Sequence, residues 1–451
     1  MTTKIHALAL CLAAALASAC TFTIDPEKYA PKSAADCPGQ KACGYKCVPA
    51  DDPATGCGTP SCDPCPGAAN AITTCGDTGA CALQCNLGWG DCDAAVGCET
   101  KLDGTNPANP SCGACGRTCL GSACDPAGFC PPSYAVAGST VGAVRALASD
   151  VINPSIVFAA VDALTPAASL WQATFTATST SASPISSQVT TPIQCLSHGT
   201  SRLFYGADDA GAGKATVSSV PDTSTGVAPT WSGITAPTMG PCLLAPESQT
   251  AVWWIPAGGQ ELWGFTYDAA NGSVVQSAQM PPGTLVGRWR ALTVLGGGTA
   301  AKDVFVADDA EGGRILRLPP DPISPLLPQQ VATGAGQVGA LAVRQNSLGR
   351  VEVYWGDLAT GNVIRQVDGA RTIVHRGSGP TSRMRVVANA LLVAWLDTDA
   401  MTVHELIPPD TTPNGAVILL SRASGLADLA ASTERVFWSR SGDAAVYSAP
   451  R

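Results

Sequence analysis

Histidine, charge and long apolar runs are all scarce in this chain. It has four histidines in 451 residues, and none lies between His6 and His198. The cysteine-rich stretch between those two therefore has no imidazole to share in a zinc site. Charged residues make up 14% of the chain, against a usual share of roughly 25%. The net charge is −9 and there is no basic run, which argues against a nucleic-acid partner. The apolar stretch from Ile5 to Leu16 falls short of the roughly 20 residues that span a bilayer, and no second candidate follows. Large apolar side chains are also thin between residues 37 and 130, where Tyr45, Val48, Leu83, Leu87, Trp89 and Phe129 are typical of the supply. Such a segment cannot bury enough surface to offset its chain entropy, so covalent staples must hold it.

What is present begins with an export signal. Lys4, the short apolar stretch and then small residues follow the order of a secretory signal peptide over residues 1–19. Ala17-Ser18-Ala19 suits a cut that leaves Cys20 first in the mature chain. Leu16-Ala17-Ser18-Ala19-Cys20 also resembles the lipobox of bacterial lipoproteins. That resemblance implies a lipid on Cys20 as the membrane anchor, and Thr21, rather than aspartate, implies sorting to the outer membrane. Parity points the same way. Of 20 cysteines, Cys11 lies in the signal and an even number follows Cys20, so a lipidated Cys20 leaves the rest free to pair. Plain secretion is the alternative. Residues 20–36, with Pro26 and Pro31, read as a flexible tether.

The cysteines then divide the chain. A dense run from Cys37 to Cys130 marks a disulfide-stapled module over 37–130, and only Cys195 and Cys242 lie beyond it. The spacing leaves the connectivity open. Cys62-Asp63-Pro64-Cys65 and Cys112-Gly113-Ala114-Cys115 have the spacing of zinc or redox pairs. Oxidising export and glycine-rich surroundings favour disulfides over both. Asp91, Asp93 and Glu99 form a poor calcium loop, and polar turns account for them better. The run from "CGYKCVPADDPATGC" through "CNLGWGDCDAAVGCETKLDG" to "CGACGRTC" resembles a cysteine-rich repeat of secreted or lipid-anchored proteins from predatory soil bacteria. The resemblance implies a surface location and no activity.

Residues 131–451 read as a repeat array. An aromatic strand core recurs seven times, as "IVFAA" at Ile156, "RLFYG" at Arg202, "AVWWI" at Ala251, "DVFVA" at Asp303, "EVYWG" at Glu352, "LVAWL" at Leu392 and "RVFWS" at Arg435. The intervals of roughly 40–50 residues suit four-stranded propeller blades. Each core follows a strand with a small residue before an aliphatic one, such as Ala146-Leu147, Cys195-Leu196, Ala340-Leu341 and Asp428-Leu429. The expected fold is all-β: a seven-bladed β-propeller after a small disulfide-rich module, with six blades plus an irregular segment as the alternative. Only three strands remain for the last blade, so "SYAVAGS" from Ser133 is expected to supply the fourth and close the ring. "VYWGDLATGNVIRQVDG" from Val353 resembles the YWTD propeller repeat of lipoprotein-receptor ectodomains. That likeness implies blade geometry, and its usual six blades keep both counts open.

Cys195 and Cys242 share a repeat position on neighbouring inner strands, where a disulfide is expected. Asp208, Asp308, Asp357 and Asp397, with Asp162, Asp209, Asp309 and Asp443, follow the cores in turns on one face. They form either an acidic ligand rim or a set of turn caps. Arg145, Arg290 and Arg385 precede the inner-strand small residue, where they either bind an anion or satisfy turn carbonyls. Trp253, Trp254 and Trp263 suit core packing better than sugar stacking. His198, His375 and His404 sit at unlike strand positions and assemble no triad, and no cofactor is implied. These features together predict a non-enzymatic surface lipoprotein whose ring binds a protein or glycan ligand. A lyase or hydrolase with its site in the channel, or a purely structural envelope protein, are the alternatives.

Overall fold

The computed structural model describes Cys37 to Pro450 apart from interspersed short segments, the longer of which are 106–110, 125–129, 164–169, 223–229, 237–241, 280–287, 296–302, 319–327 and 408–415. The signal peptide, Cys20 and the tether lie outside the described residues. By compactness the chain divides into two units between Glu99 and Thr100. No helix among the described residues is long and apolar enough to cross a membrane.

The first unit is held by short-range staples. Disulfides join Cys37–Cys47, Cys43–Cys62, Cys57–Cys75, Cys65–Cys81 and Cys85–Cys98. Two hairpins, Lys41–Cys43 with Lys46–Val48 and Ala71–Cys75 with Cys81–Cys85, lie between them. The paired cysteines are 10 to 19 residues apart. Closing a loop of about 15 residues removes roughly 3 kcal/mol of unfolded-state freedom, which a segment with so little core requires. Both CxxC pairs are split, since Cys62 and Cys65 bond to different partners, as does Cys112.

The second unit opens with two more staples, Cys112–Cys124 and Cys119–Cys130, and then forms seven four-stranded antiparallel sheets. We number these blades one to seven by their inner strands: Val141–Ser149, Ile193–His198, Leu243–Pro246, Trp289–Val294, Val338–Gln345, Met384–Ala388 and Leu426–Ala431. Each inner strand contacts the next, and Leu426–Ala431 returns to Val141–Ser149, so the seven form a closed ring. Blade seven takes its outer strand from the beginning of the segment. Ser133–Val136 pairs antiparallel with Ala445–Pro450, with Tyr134 opposite Tyr447 and Ala135 opposite Val446.

Burial explains why the second strand of each blade was so legible. Ala251–Ile255 and Val393–Asp397 are buried at every residue, because a neighbouring blade covers each face. Among the described residues the ring has no single core. Seven apolar clusters form, one at each blade–blade interface, from Phe175 and Phe437 between blades seven and one to Leu420 and Trp438 between blades six and seven. Trp253 faces blade four and Trp254 faces blade two, both fully buried. The ring therefore has two faces. On one, which we call the upper face, each inner strand begins and each second strand ends.

Candidate functional site: the upper mouth of the ring

The upper face gathers the residues that the repeat pattern marks. Asp308 receives Nε and a terminal nitrogen of Arg314 at 3.1 and 2.6 Å, and the Ala310 amide at 3.1 Å. Asp357 accepts from the Gln337 amide at 3.0 Å and the Thr360 hydroxyl at 2.7 Å. Asp397 accepts from the Thr381 hydroxyl at 2.8 Å and the Asp399 and Ala400 amides, both at 2.9 Å. All three carboxylates are buried. Their lone pairs are directed into their own turns and the adjoining connection, as an Asx turn requires. Asp208 is half-buried and accepts from Gln194 Nε2 at 2.7 Å. Exposed Asp309 takes the Arg288 amide at 2.6 Å and the Arg290 guanidinium at 2.8 Å. The Asp162 and Asp209 side chains lie outside what is described.

Inner-strand residues carry more of the chemistry. Cys195 and Cys242 are joined across blades two and three, with Cα atoms 5.4 Å apart. Gly206 makes room for that bond, since a Cβ there would lie 2.3 Å from Cys242 Sγ and 2.8 Å from Cys195 Sγ. Across the ring, the same layer holds an ion pair. Arg385 Nε of blade six lies 2.9 Å from Asp428 Oδ1 of blade seven. The other oxygen of Asp428 accepts the Leu147 amide of blade one at 2.8 Å. One carboxylate thus latches three neighbouring inner strands. Asp428 occupies the slot that the repeat gives to a small residue. The slot instead holds a charge because its neighbours supply a cation and a free amide.

Arg383 lies two residues before Arg385, at the very start of blade six. Its side chain is solvent-exposed, yet surrounding protein mass and then the Arg385 charge lower its pKa, while Asp428 opposes them. Beside Arg383, the exposed Asp399 carboxylate accepts the Ser382 amide at 2.6 Å and the Ser382 hydroxyl at 2.8 Å. These donors hold its carboxyl below the usual range. The Thr398 hydroxyl donates to the Arg383 carbonyl at 3.1 Å. Arg145 is likewise exposed on the inner strand of blade one.

The histidines sit between blades rather than at the mouth. His198 Nε2 lies 3.0 Å from Asp222 Oδ2, and its ring lies 4.7 Å from that of Phe158. His375 and His404, unlike in strand position, nevertheless meet with ring centroids 4.6 Å apart, and Trp395 stacks on His404 at 5.2 Å. Pairing of the blade-five outer strand with its neighbour, which the sequence did not specify, brings them together. In the first unit, the carboxylates of Asp91, Asp93 and Glu99 lie within 4.8 Å of one another, all exposed. Glu99 already accepts the Cys92 amide at 2.9 Å.

Neither family models nor curated protein sequences give a match to this chain. Among solved structures, a catalytically inactive virginiamycin B lyase from Staphylococcus aureus, determined with quinupristin, is similar at 10% identity and a TM-score of 0.50. The match covers 71% of this chain and 99% of that one. A streptogramin B lyase structure matches at 9% identity and a TM-score of 0.50, covering 71% and 98%. The Dos1 propeller matches at 11% identity and a TM-score of 0.47, covering 71% and 94%. At such identities the likeness to the two lyase structures shows the propeller fold alone.

Proposed function

We propose that this chain is a non-enzymatic, lipid-anchored surface protein whose propeller binds a protein or glycan ligand at the upper mouth of the ring. The observation that carries the exported, anchored part is complete cysteine pairing. Every cysteine from Cys37 to Cys242 is in a disulfide, so Cys20 is left with no mature partner. An oxidising compartment and a lipid on that sulfur account for both facts. The binding part is supported by Arg383, an exposed cation just before the blade-six inner strand, at the end of the ring where the inner strands begin. A rigid ring with an open polar mouth is suited to retention of a ligand without turnover.

Two measurements test this reading. Palmitate labelling is expected in wild type and absent in Cys20→Ser; equal label in both rejects the anchor. The mature protein, incubated with arrayed envelope polysaccharides and proteins, is expected to retain a ligand and return it chemically unchanged. Release of a cleaved product would favour the lyase or hydrolase alternative, and retention of nothing would favour the purely structural one.

A further inference from the structure

Two disulfides of the first unit touch. Cys57 is bonded to Cys75 and Cys65 to Cys81. Cys57 Sγ lies 3.2 Å from Cys65 Sγ, and the sulfurs of Cys57, Cys65 and Cys81 all fall within 4.8 Å of one another. The backbone also prepares the other partition, Cys57 with Cys65 and Cys75 with Cys81. Cys57 and Cys65 belong to one loop that its own main chain draws tight. The Cys65 amide donates to the Pro53 carbonyl at 2.9 Å, and a Cβ on Gly56 would lie 2.4 Å from the Asp63 carbonyl oxygen. Cys75 and Cys81 stand opposite each other in the second hairpin. The Gly76 amide donates to the Ala80 carbonyl at 2.8 Å, so Cys75 and Cys81 form the adjoining pair without hydrogen bonds. Cα atoms of such a pair are about 4.5 Å apart, within the roughly 4.4–6.8 Å that a disulfide spans.

We infer that Cys57, Cys65, Cys75 and Cys81 form a thiol–disulfide exchange site that takes an external thiol at Cys81. Cys81 is exposed, which gives a thiolate access to its sulfur. Attack there forms a mixed disulfide on Cys81 and releases Cys65 as a thiolate. Cys65, beside Cys57, attacks it; the Cys57–Cys65 bond forms and Cys75 is released. Cys75 then attacks the mixed disulfide across the hairpin, forming Cys75–Cys81 and expelling the external thiolate, which recovers its proton. Two disulfides are present before and after, so no oxidant or reductant is consumed. Connection is what changes. The resting bonds tie the loop to the hairpin, whereas the exchanged bonds close each on itself and leave the two unlinked. The exchanged bonds close shorter loops and restrict the unfolded chain less, which keeps the resting pairing the major one.

The test is non-reducing peptide mapping of the full mature chain after quenching with iodoacetamide. Wild type is incubated with a trace of 2-mercaptoethanol. Linked Cys57–Cys65 and Cys75–Cys81 peptides are expected to appear together as a minor fraction, while Cys85–Cys98 stays intact. Cys85 and Cys98 belong to no such group of sulfurs among the described residues. Cys75→Ser needs no added thiol, because it frees Cys57 beside the Cys65–Cys81 bond. Cys57 is expected to displace Cys81, so that most of the alkyl label moves to Cys81 and Cys57–Cys65 is recovered. Cys98→Ser frees Cys85 in the same unit and is expected to keep its label on Cys85. Label confined to Cys57 in Cys75→Ser would overturn the inference, as would spread of label to other cysteines in Cys98→Ser. If Cys75→Ser does not fold, wild type decides, and thiol treatment that yields neither exchanged link overturns the site.

Discussion

His404 shows how one buried side chain shapes the response to acid. It lies between blades five and six, stacked on Trp395, and its pKa is pushed down to about 3 by burial, His375 and Arg422. His375 shifts the same way through burial, partly offset by Asp397. An unfolded histidine titrates near 6.5. Above that pH both states are neutral, and stability is fully present. As pH falls from about 6.5 towards 3, the unfolded chain takes up the proton first, so stability is lost. Between pH 7.5 and 5.0, His404 is expected to cost about 2 kcal/mol. Urea unfolding at both pH values checks this, and His404→Phe should flatten the difference; an unchanged slope would contradict it. Asp428 makes a second prediction at this scale. Asp428→Ala removes the partner of Arg385 and of the Leu147 amide, and is expected to cost about 2 kcal/mol. Asp428→Asn keeps an acceptor for the amide and should cost less than half of that. Both residues were opaque in the sequence, since Asp428 fell in a small-residue slot and the histidines sat at unlike strand positions. Which side chains meet between blades depends on register, which spacing alone does not set.

At the scale of elements, the second strands were the most readable part of the chain. Blades cover both of their faces, which writes a short continuous apolar run with aromatics seven times over. The inner strands were harder. Blade five bulges between Val338 and Ala340, whereas blade six pairs Met384 through Ala388 without a bulge. Arg385 therefore lies opposite Leu396, the place that Ala340 takes opposite Gly356, one step from where simple repeat alignment sets it. This shift brings Arg385 to Asp428. The disulfide between blades two and three closes a separation of 47 residues. Replacing Cys195 and Cys242 together by alanine is expected to cost about 4 kcal/mol from the regained freedom of the unfolded chain. Denaturant titration reads that loss. No loss would mean that packing alone holds the two blades. The acidic turns were legible as positions but not as roles, because whether a carboxylate is buried in its own turn depends on the approach of the next connection. Gln337 and Thr381 supply donors from those connections.

For the whole molecule, closure is what makes the mouth a fixed object. Isolated four-stranded sheets with two apolar faces would not survive in water, and a ring hides both faces only if its ends meet. The strand order of blade seven achieves this by joining Ser133–Val136 to Ala445–Pro450. The shortage of strands at the C-terminal end made that closure legible. The cysteine connectivity was not, since sixteen half-cystines allow many pairings and only folded geometry chooses among them. The positions of Arg145, Arg290, Arg383 and Arg385 around the opening depend on the same closed ring. Loss of the clasp should therefore loosen the mouth as well as blade seven. The most direct measurement is amide hydrogen exchange across Ser133–Val136. The closed ring predicts that these amides exchange as slowly as those of Arg435–Arg440, protected by global unfolding. Exchange within seconds there, while blades one to six stay protected, would contradict it.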